Sequence, residues 1–277
     1  MIQLGICNEL FEGWDLPRVC RFVKEVGFDG LELAPFTLAL RITDLSIDQR
    51  RTIRSTIADS GLATIGLHWL LAHTEEFYLT SPDPATQART GDYLLALAEA
   101  TRDLGGSLMV LGSPKQRNLF PGFSFDQAIG FATATLDRVL PYLDRLDVDL
   151  CLEPLGPGET DFLNTCDQTT AWIKRVGHPR LKLHMDVKAQ STEVGRTVPE
   201  LITQFAANAG HFHAQDTNKL GPGMGAVDFR PILNSLVQAG YDRWVSVEVF
   251  DFSPGPETIA KESLACLKRE LDSAYAS

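Results

Sequence analysis

The chain has 277 residues, 44% of them apolar and 22% charged, with a formal charge of −11. Such a composition builds a sizeable core, and no apolar run approaches the roughly 20 residues needed to cross a bilayer, so a membrane partner is not expected. The acidic balance would repel a phosphodiester backbone, and no dense Lys/Arg cluster offsets it, which argues against nucleic acid as a partner.

The start, MIQLGICNEL, has no cationic segment followed by an apolar stretch and a small-residue cleavage site, so it reads as a first strand and a cytoplasmic enzyme is expected. From there short apolar runs alternate with longer amphipathic ones, the pattern of repeated βα units around a parallel sheet. The expected strands are Ile2–Cys7, Gly30–Ala34, Thr64–Trp69, Leu108–Gly112, Asp149–Leu155, Lys182–Val187, His211–Gln215 and Trp244–Phe250. Helical patterns lie between them, among them Leu16–Val26, Ile47–Ala58, Gln87–Leu104, Phe125–Leu143, Asp167–Val176 and Ile259–Leu271. Gly27, Gly61, Gly105, Gly177 and Gly240 end helical patterns where left-handed caps are wanted, and Ser46, Ser124 and Asp228 stand at N-cap positions. Eight strand–helix repeats in a chain of this length predict a single (β/α)8 TIM barrel over residues 1–277. An open doubly wound sheet would carry a glycine-rich phosphate turn after its first strand, and Cys7-Asn8-Glu9-Leu10-Phe11 is not one. The five cysteines, Cys7, Cys20, Cys151, Cys166 and Cys266, are scattered and without CxxC spacing, as buried small apolar residues would be. The composition permits a homo-oligomer without fixing a stoichiometry.

Four of the later strands carry polar groups that a parallel strand buried on both faces does not accept without a purpose. They are Glu153 in CLEPL, Asp186 in LHMDV, His213 in HFHAQD and Glu248 in VSVEVF, which follow one another at 33, 27 and 35 residues, about one βα repeat each. In VSVEV the valines share one face, which leaves Ser246 and Glu248 on the other, and the same alternation turns His184 and Asp186, and His211 and His213, toward the barrel axis. Three carboxylates brought together repel in a low dielectric, and a cation is the simplest agent that keeps them ionised. One imidazole with three carboxylates is a hard, oxygen-rich set that favours one divalent ion, Mn²⁺ or Mg²⁺ before Co²⁺ or Zn²⁺. His184 and His211 lie one pleat below, where they would support the ligands, and Glu32 points inward on the second strand as either a substrate-contacting or a supporting group.

On these motifs, LEPLGPGETDFLNT, KLHMDVKA, GHFHAQDTNKLGPGMGAVDF and WVSVEVFD, the chain resembles the xylose-isomerase-like TIM barrels over essentially its full length. That family includes sugar phosphate isomerases and epimerases and the ketose 3-epimerases. The resemblance implies that Glu153, Asp186, His213 and Glu248 hold the catalytic metal and that Glu153 and Glu248 form the acid/base pair. It also implies that Glu159, six residues after Glu153, contacts substrate. Where the ketose 3-epimerases show a histidine three residues after the metal-binding aspartate, this chain has Ala189, and Lys219 replaces an arginine six residues after the metal histidine. The endonuclease branch of the superfamily needs further His and Asp ligands, and the missing histidine near Asp186 weighs against it.

Around the rim, His68 and Trp69 at the end of the third strand are placed to contact a sugar ring, and Lys115 and Arg117 in GSPKQR to anchor an anionic or hydroxyl-rich group. Lys188 shares the inward phase of Asp186, and the GPGMG stretch at Gly221–Gly225 reads as a tight loop over the metal mouth. The expected activity is isomerisation or epimerisation of a small sugar-like substrate by proton abstraction next to a carbonyl. The alternatives are a metal-dependent lyase or dehydratase acting on a keto-sugar or keto-glycoside, and a non-catalytic sugar-binding barrel.

Overall fold

The computed structural model describes residues 1–276. Eight parallel strands, β1 Gln3–Cys7, β2 Gly30–Leu33, β3 Ala63–Leu67, β4 Leu108–Leu111, β5 Asp149–Leu152, β6 Leu181–Asp186, β7 Ala209–Ala214 and β8 Trp244–Val247, follow one another around a closed barrel. Closure is made by β1, which pairs with β2 on one side and with β8 on the other, Gln3 facing Trp244 and Ile6 facing Val247. The strands are almost uniformly buried because the barrel axis lies on one face and a jacket of helices on the other. Ile65, Leu108, Val110 and Cys151, with Trp244 against them, fill the barrel below the functional end, while the main core lies between strands and helices.

The expected punctuation holds. Ser46, Ser124 and Asp228 accept backbone N–H bonds from Gln49, Gln127 and Arg230 at their helix starts. All five glycines expected to end helices have positive φ, with Gly27 at 107° and Gly177 at 71°, a region that L side chains avoid. All five cysteines are buried.

Two boundaries differ from expectation in ways that matter. The pattern at Phe125–Leu143 splits into helices Phe125–Leu136 and Leu140–Leu146, because Pro141 has no N–H to continue the first and suits the opening turn of the second. Strands β5 and β8 stop at Leu152 and Val247, so Glu153 and Glu248 stand just past the strand ends, with the Glu153 N–H making one last bond to the Leu111 carbonyl. After Glu153 the cause is Pro154, which cannot donate to a ladder. Among the described residues no helix is long and apolar enough to cross a membrane.

Candidate active site

The four expected ligands converge. One donor atom from each of Glu153, Asp186, His213 and Glu248 lies within 4.8 Å of the other three. All four are buried, with 1–6% of their surface exposed. Asp186 closes β6 and faces His213 across the ladder, whereas His213 faces Ser246 on β8, two residues before Glu248. They open onto a cavity of about 410 Å³ that touches Glu153, Asp186 and Glu248.

Neighbours aim each donor. Asp186 Oδ1 accepts the Ala189 N–H at 2.6 Å, capping the short helix Val187–Gln190, while its buried Oδ2 has no protein partner. His213 Nε2 is 3.2 Å from both oxygens of Glu32, which turns Nδ1 toward Glu248 Oε2, also 3.2 Å away. This is the carboxylate–histidine arrangement that fixes tautomer and ring direction in metal sites. Burial works against a charge on Glu32, but His211 and His213 outweigh it and hold its carboxyl well below the usual range. Burial, then Glu248 and Asp186, push the Glu153 carboxyl well above its ordinary value, and burial followed by Glu248 raises Asp186 to about 6. A divalent cation among these oxygens would reverse that repulsion, so the orphaned Asp186 oxygen and the hard donor set both fit one.

Room for this cluster depends on a residue with no side chain. A Cβ at Gly112, just after β4, would stand 1.6 Å from Glu153 Oε2. His211 and His184 take the supporting places expected of them: His211 Nε2 is 2.7 Å from Glu32, and the His184 ring meets the His213 ring edge-on at 4.2 Å.

His68 departs from its expected role. Fully buried, it lies below the cavity with Nε2 at 3.0 Å from Glu9 and 3.8 Å from Glu248, so it does not meet a substrate surface. Burial opposes its charge, but Glu9, with Glu32 and Glu248 behind it, raises its pKa to about 9, giving a cation under the acidic cluster. Glu9 escaped sequence reasoning because it sits in a short turn after β1, outside any strand periodicity.

Trp69, Glu159, Lys188 and Lys219 line the same cavity. Lys188 Nζ pairs with Glu159 at 2.7 Å and lies 5.1 Å above the Phe250 ring. Trp69 stacks on Phe250 at 5.1 Å and 19°. Exposed Lys115 faces a neighbouring cavity of about 690 Å³ that shares Trp69 and Pro114 with this one.

Arg117 is the clearest correction. Only 2% exposed, it spends its guanidinium on the carbonyls of Glu153 (2.7 Å), Phe162 (2.8 Å) and Leu163 (3.0 Å), so it pins the loop after β5 instead of anchoring a ligand. Burial lowers its pKa to about 10, against the pull of Glu153 and Glu159. Arg117→Ala strands these buried carbonyls and removes a cation from beside Glu153, and is expected to cost about 3–5 kcal/mol in urea unfolding. A loss below about 1 kcal/mol would contradict this role.

The GPGMG stretch also lies elsewhere than expected. Gly221 and Gly223 press against Ser263 and Cys266 of the C-terminal helix Pro256–Tyr275, and only Lys219 from this loop reaches the cavity. Fully buried Asp216 folds the loop by accepting the Val227 N–H at 2.9 Å.

The chain and its fold have counterparts among known proteins. An L-ribulose 3-epimerase of Mesorhizobium japonicum is 27% identical over 256 residues, covering 90% of this chain and 80% of that protein. A ketose 3-epimerase of Arthrobacter globiformis is 27% identical over 238 residues, covering 83% of this chain and 76% of the relative. Among solved structures, an L-ribulose 3-epimerase superposes with a TM-score of 0.85 at 23% identity, covering 100% of this chain and 96% of the other. The 3-keto-D-glucoside 4-epimerase from E. coli does so with a TM-score of 0.83 at 18% identity, covering 97% of this chain and 100% of the other. Residues 20–270 match the model of one family, and with the closed eight-stranded barrel this shows that the chain belongs to the xylose isomerase-like TIM barrel family.

Proposed function

We propose that the chain is a divalent-metal-dependent isomerase or epimerase of a small sugar-like substrate, moving a proton on the carbon next to a carbonyl. The observation that carries this reading is the convergence of Glu153, Asp186, His213 and Glu248, the three carboxylates among them lining one cavity. Relatives that are ketose and ribulose 3-epimerases support it. These four residues would hold the ion, Mn²⁺ or Mg²⁺ in preference to Co²⁺ or Zn²⁺. When bound, such an ion supplies electrophilic stabilisation of the charge that develops on a carbonyl oxygen and its neighbouring hydroxyl.

The remaining work falls to the protein. Glu153 and Glu248, both at the cavity floor, remove the proton from the carbon beside the carbonyl and return it, one acting as base and the other as acid. His68 and Glu32 are positioning residues: His68 sets a positive charge 3.8 Å from Glu248, and Glu32 holds the His213 ring. At the rim, Lys188, Glu159 and Lys219 offer donors and an acceptor to sugar hydroxyls, and Trp69 and Phe250 present ring faces to the C–H side of a sugar. A non-catalytic sugar-binding barrel is disfavoured because the glutamates face an open cavity instead of being closed off.

The test is isotopic. Manganese-loaded protein incubated in D₂O with a panel of ketoses and keto-glycosides is expected to place deuterium on the carbon beside the carbonyl of at least one of them. Release of an aglycone or water with that exchange would assign a lyase instead. Absence of exchange and turnover across the panel would count against the reading.

A further inference from the structure

The metal-facing cavity is not the only hollow at this end of the barrel. A second one, of about 590 Å³, opens beside it and shares two walls with it, Trp69 and Phe250. Its lining is aromatic: Phe11, Trp14, Phe36 and Phe252 join the shared pair. These rings come from the segments after β1, β2, β3 and β8, so four separate loops contribute to one cleft. Apart from Phe11 they are only half-buried; Trp69, Phe36 and Phe250 already touch one another or His73, and the Arg18 guanidinium covers the Trp14 ring at 3.6 Å, so what they offer a ligand is the remaining exposed ring surface.

Three observations say what would occupy it. First, the volume lies within the roughly 300–1,000 Å³ of small-molecule sites, and its wall is continuous with the candidate active site. Second, its charged lining groups are carboxylates, Glu9 and Glu12, and no lysine or arginine lines it among the described residues, so an anionic occupant is disfavoured. The contrast is with the metal-facing cavity, which has Lys188 and Lys219 at its rim. Third, Trp69 is held at φ 54°, a left-handed backbone that a bulky aromatic residue rarely adopts. Such strain survives where the surroundings over-determine it, and here it holds the indole where both hollows meet, with its ring 5.1 Å from that of Phe250 and 5.7 Å from that of Phe36.

From this arrangement we infer that the cleft is an aglycone subsite, taking the uncharged aromatic group of a glycoside whose sugar ring lies in the metal-facing cavity. The inference rests on the sugar-directed reading of that cavity and adds the substrate class: a sugar carrying an aromatic substituent, not a free monosaccharide. Trp69 and Phe250, which line both hollows, then touch both halves of such a glycoside. The ring faces of Phe36 and Phe252 complete the aromatic contact.

Calorimetric titration of the manganese-loaded protein with two unreactive probes, phenyl β-D-glucopyranoside and methyl β-D-glucopyranoside, tests this without relying on turnover. The phenyl glycoside is expected to bind about tenfold more tightly in the wild type, from one added aromatic contact and the surface it buries. In Phe36→Ala the ratio is expected to fall to about twofold or less, with the methyl glycoside little changed. Should that variant fail to fold, Phe252→Ala reads the same ratio from the opposite wall. Equal affinity for the two probes, or no binding of either, overturns the aglycone subsite. The two readings fail separately: deuterium exchange into free ketoses without any phenyl preference removes the subsite and keeps the proton-transfer chemistry. A phenyl preference without exchange into any sugar removes that chemistry and keeps the subsite.

Discussion

Glu153→Gln and Glu248→Gln are each expected to lower turnover by about 10²–10⁴-fold, the usual contribution of a positioned acid or base, with a further loss from the missing ligand charge. Both side chains face the same cavity and share one donor cluster, so neither can serve as the other's replacement. Glutamine keeps the shape and one oxygen but cannot accept the proton at that oxygen, which makes it the sharper substitution. Steady-state rates, combined with deuterium incorporation in D₂O, separate loss of proton transfer from loss of binding. Incorporation at the wild-type rate in either variant would remove that glutamate from the proton-transfer step. The effects of the pair should also be non-additive, because groups that act on one proton fail together.

Gly112→Ala is expected to be nearly as damaging, although it adds a single methyl group to a residue that touches no substrate proton. The new carbon would stand 1.6 Å from Glu153 Oε2 and 2.8 Å from its carboxyl carbon, so the carboxylate must leave its place. The backbone cannot yield instead, because Arg117 holds the Glu153 carbonyl at 2.7 Å and the Phe162 and Leu163 carbonyls beyond it. Rotation of the Glu153 side chain takes one donor out of the four. Manganese affinity is expected to fall at least 10–100-fold, and turnover by about 10²-fold or more from misplacement on the scale of an ångström. Metal titration by calorimetry reads the first effect, and a thermal melt guards against a merely unfolded variant. Wild-type metal affinity in a folded Gly112→Ala protein would show that Glu153 is not a ligand.

The fold and the ligand cluster were readable because both are written in strand periodicity. Cys151 and Glu153, His184 and Asp186, His211 and His213, and Ser246 and Glu248 obey one alternation on four neighbouring strands, and closure of the barrel turns that shared inward face into convergence. What lies in loops has no such period. Arg117 and Lys115 are two residues apart in one basic loop, yet one is buried and the other exposed, because the carbonyls that claim Arg117 belong to a segment 45 residues away. His68 was misplaced for a related reason: β3 ends at Leu67, and alternation carries no information past that point. Gly112 gave no sign at all, since its importance is the space that another side chain occupies.

The four candidate ligands all belong to β5 through β8 or the residues directly after them, whereas Phe11, Phe36 and Trp69 follow β1, β2 and β3. The candidate ligands thus come from one half of the ring, while the aromatic cleft draws mainly on the other and is completed by Phe250 and Phe252 after β8. Laboratory diversification of the segments after β1, β2 and β3 can alter which molecule is held without touching those four residues, provided Glu9 and His68 are kept, because His68 lies 3.8 Å from Glu248 and 3.0 Å from Glu9. The most productive starting point for altered specificity is therefore the half of the barrel that supplies none of the four.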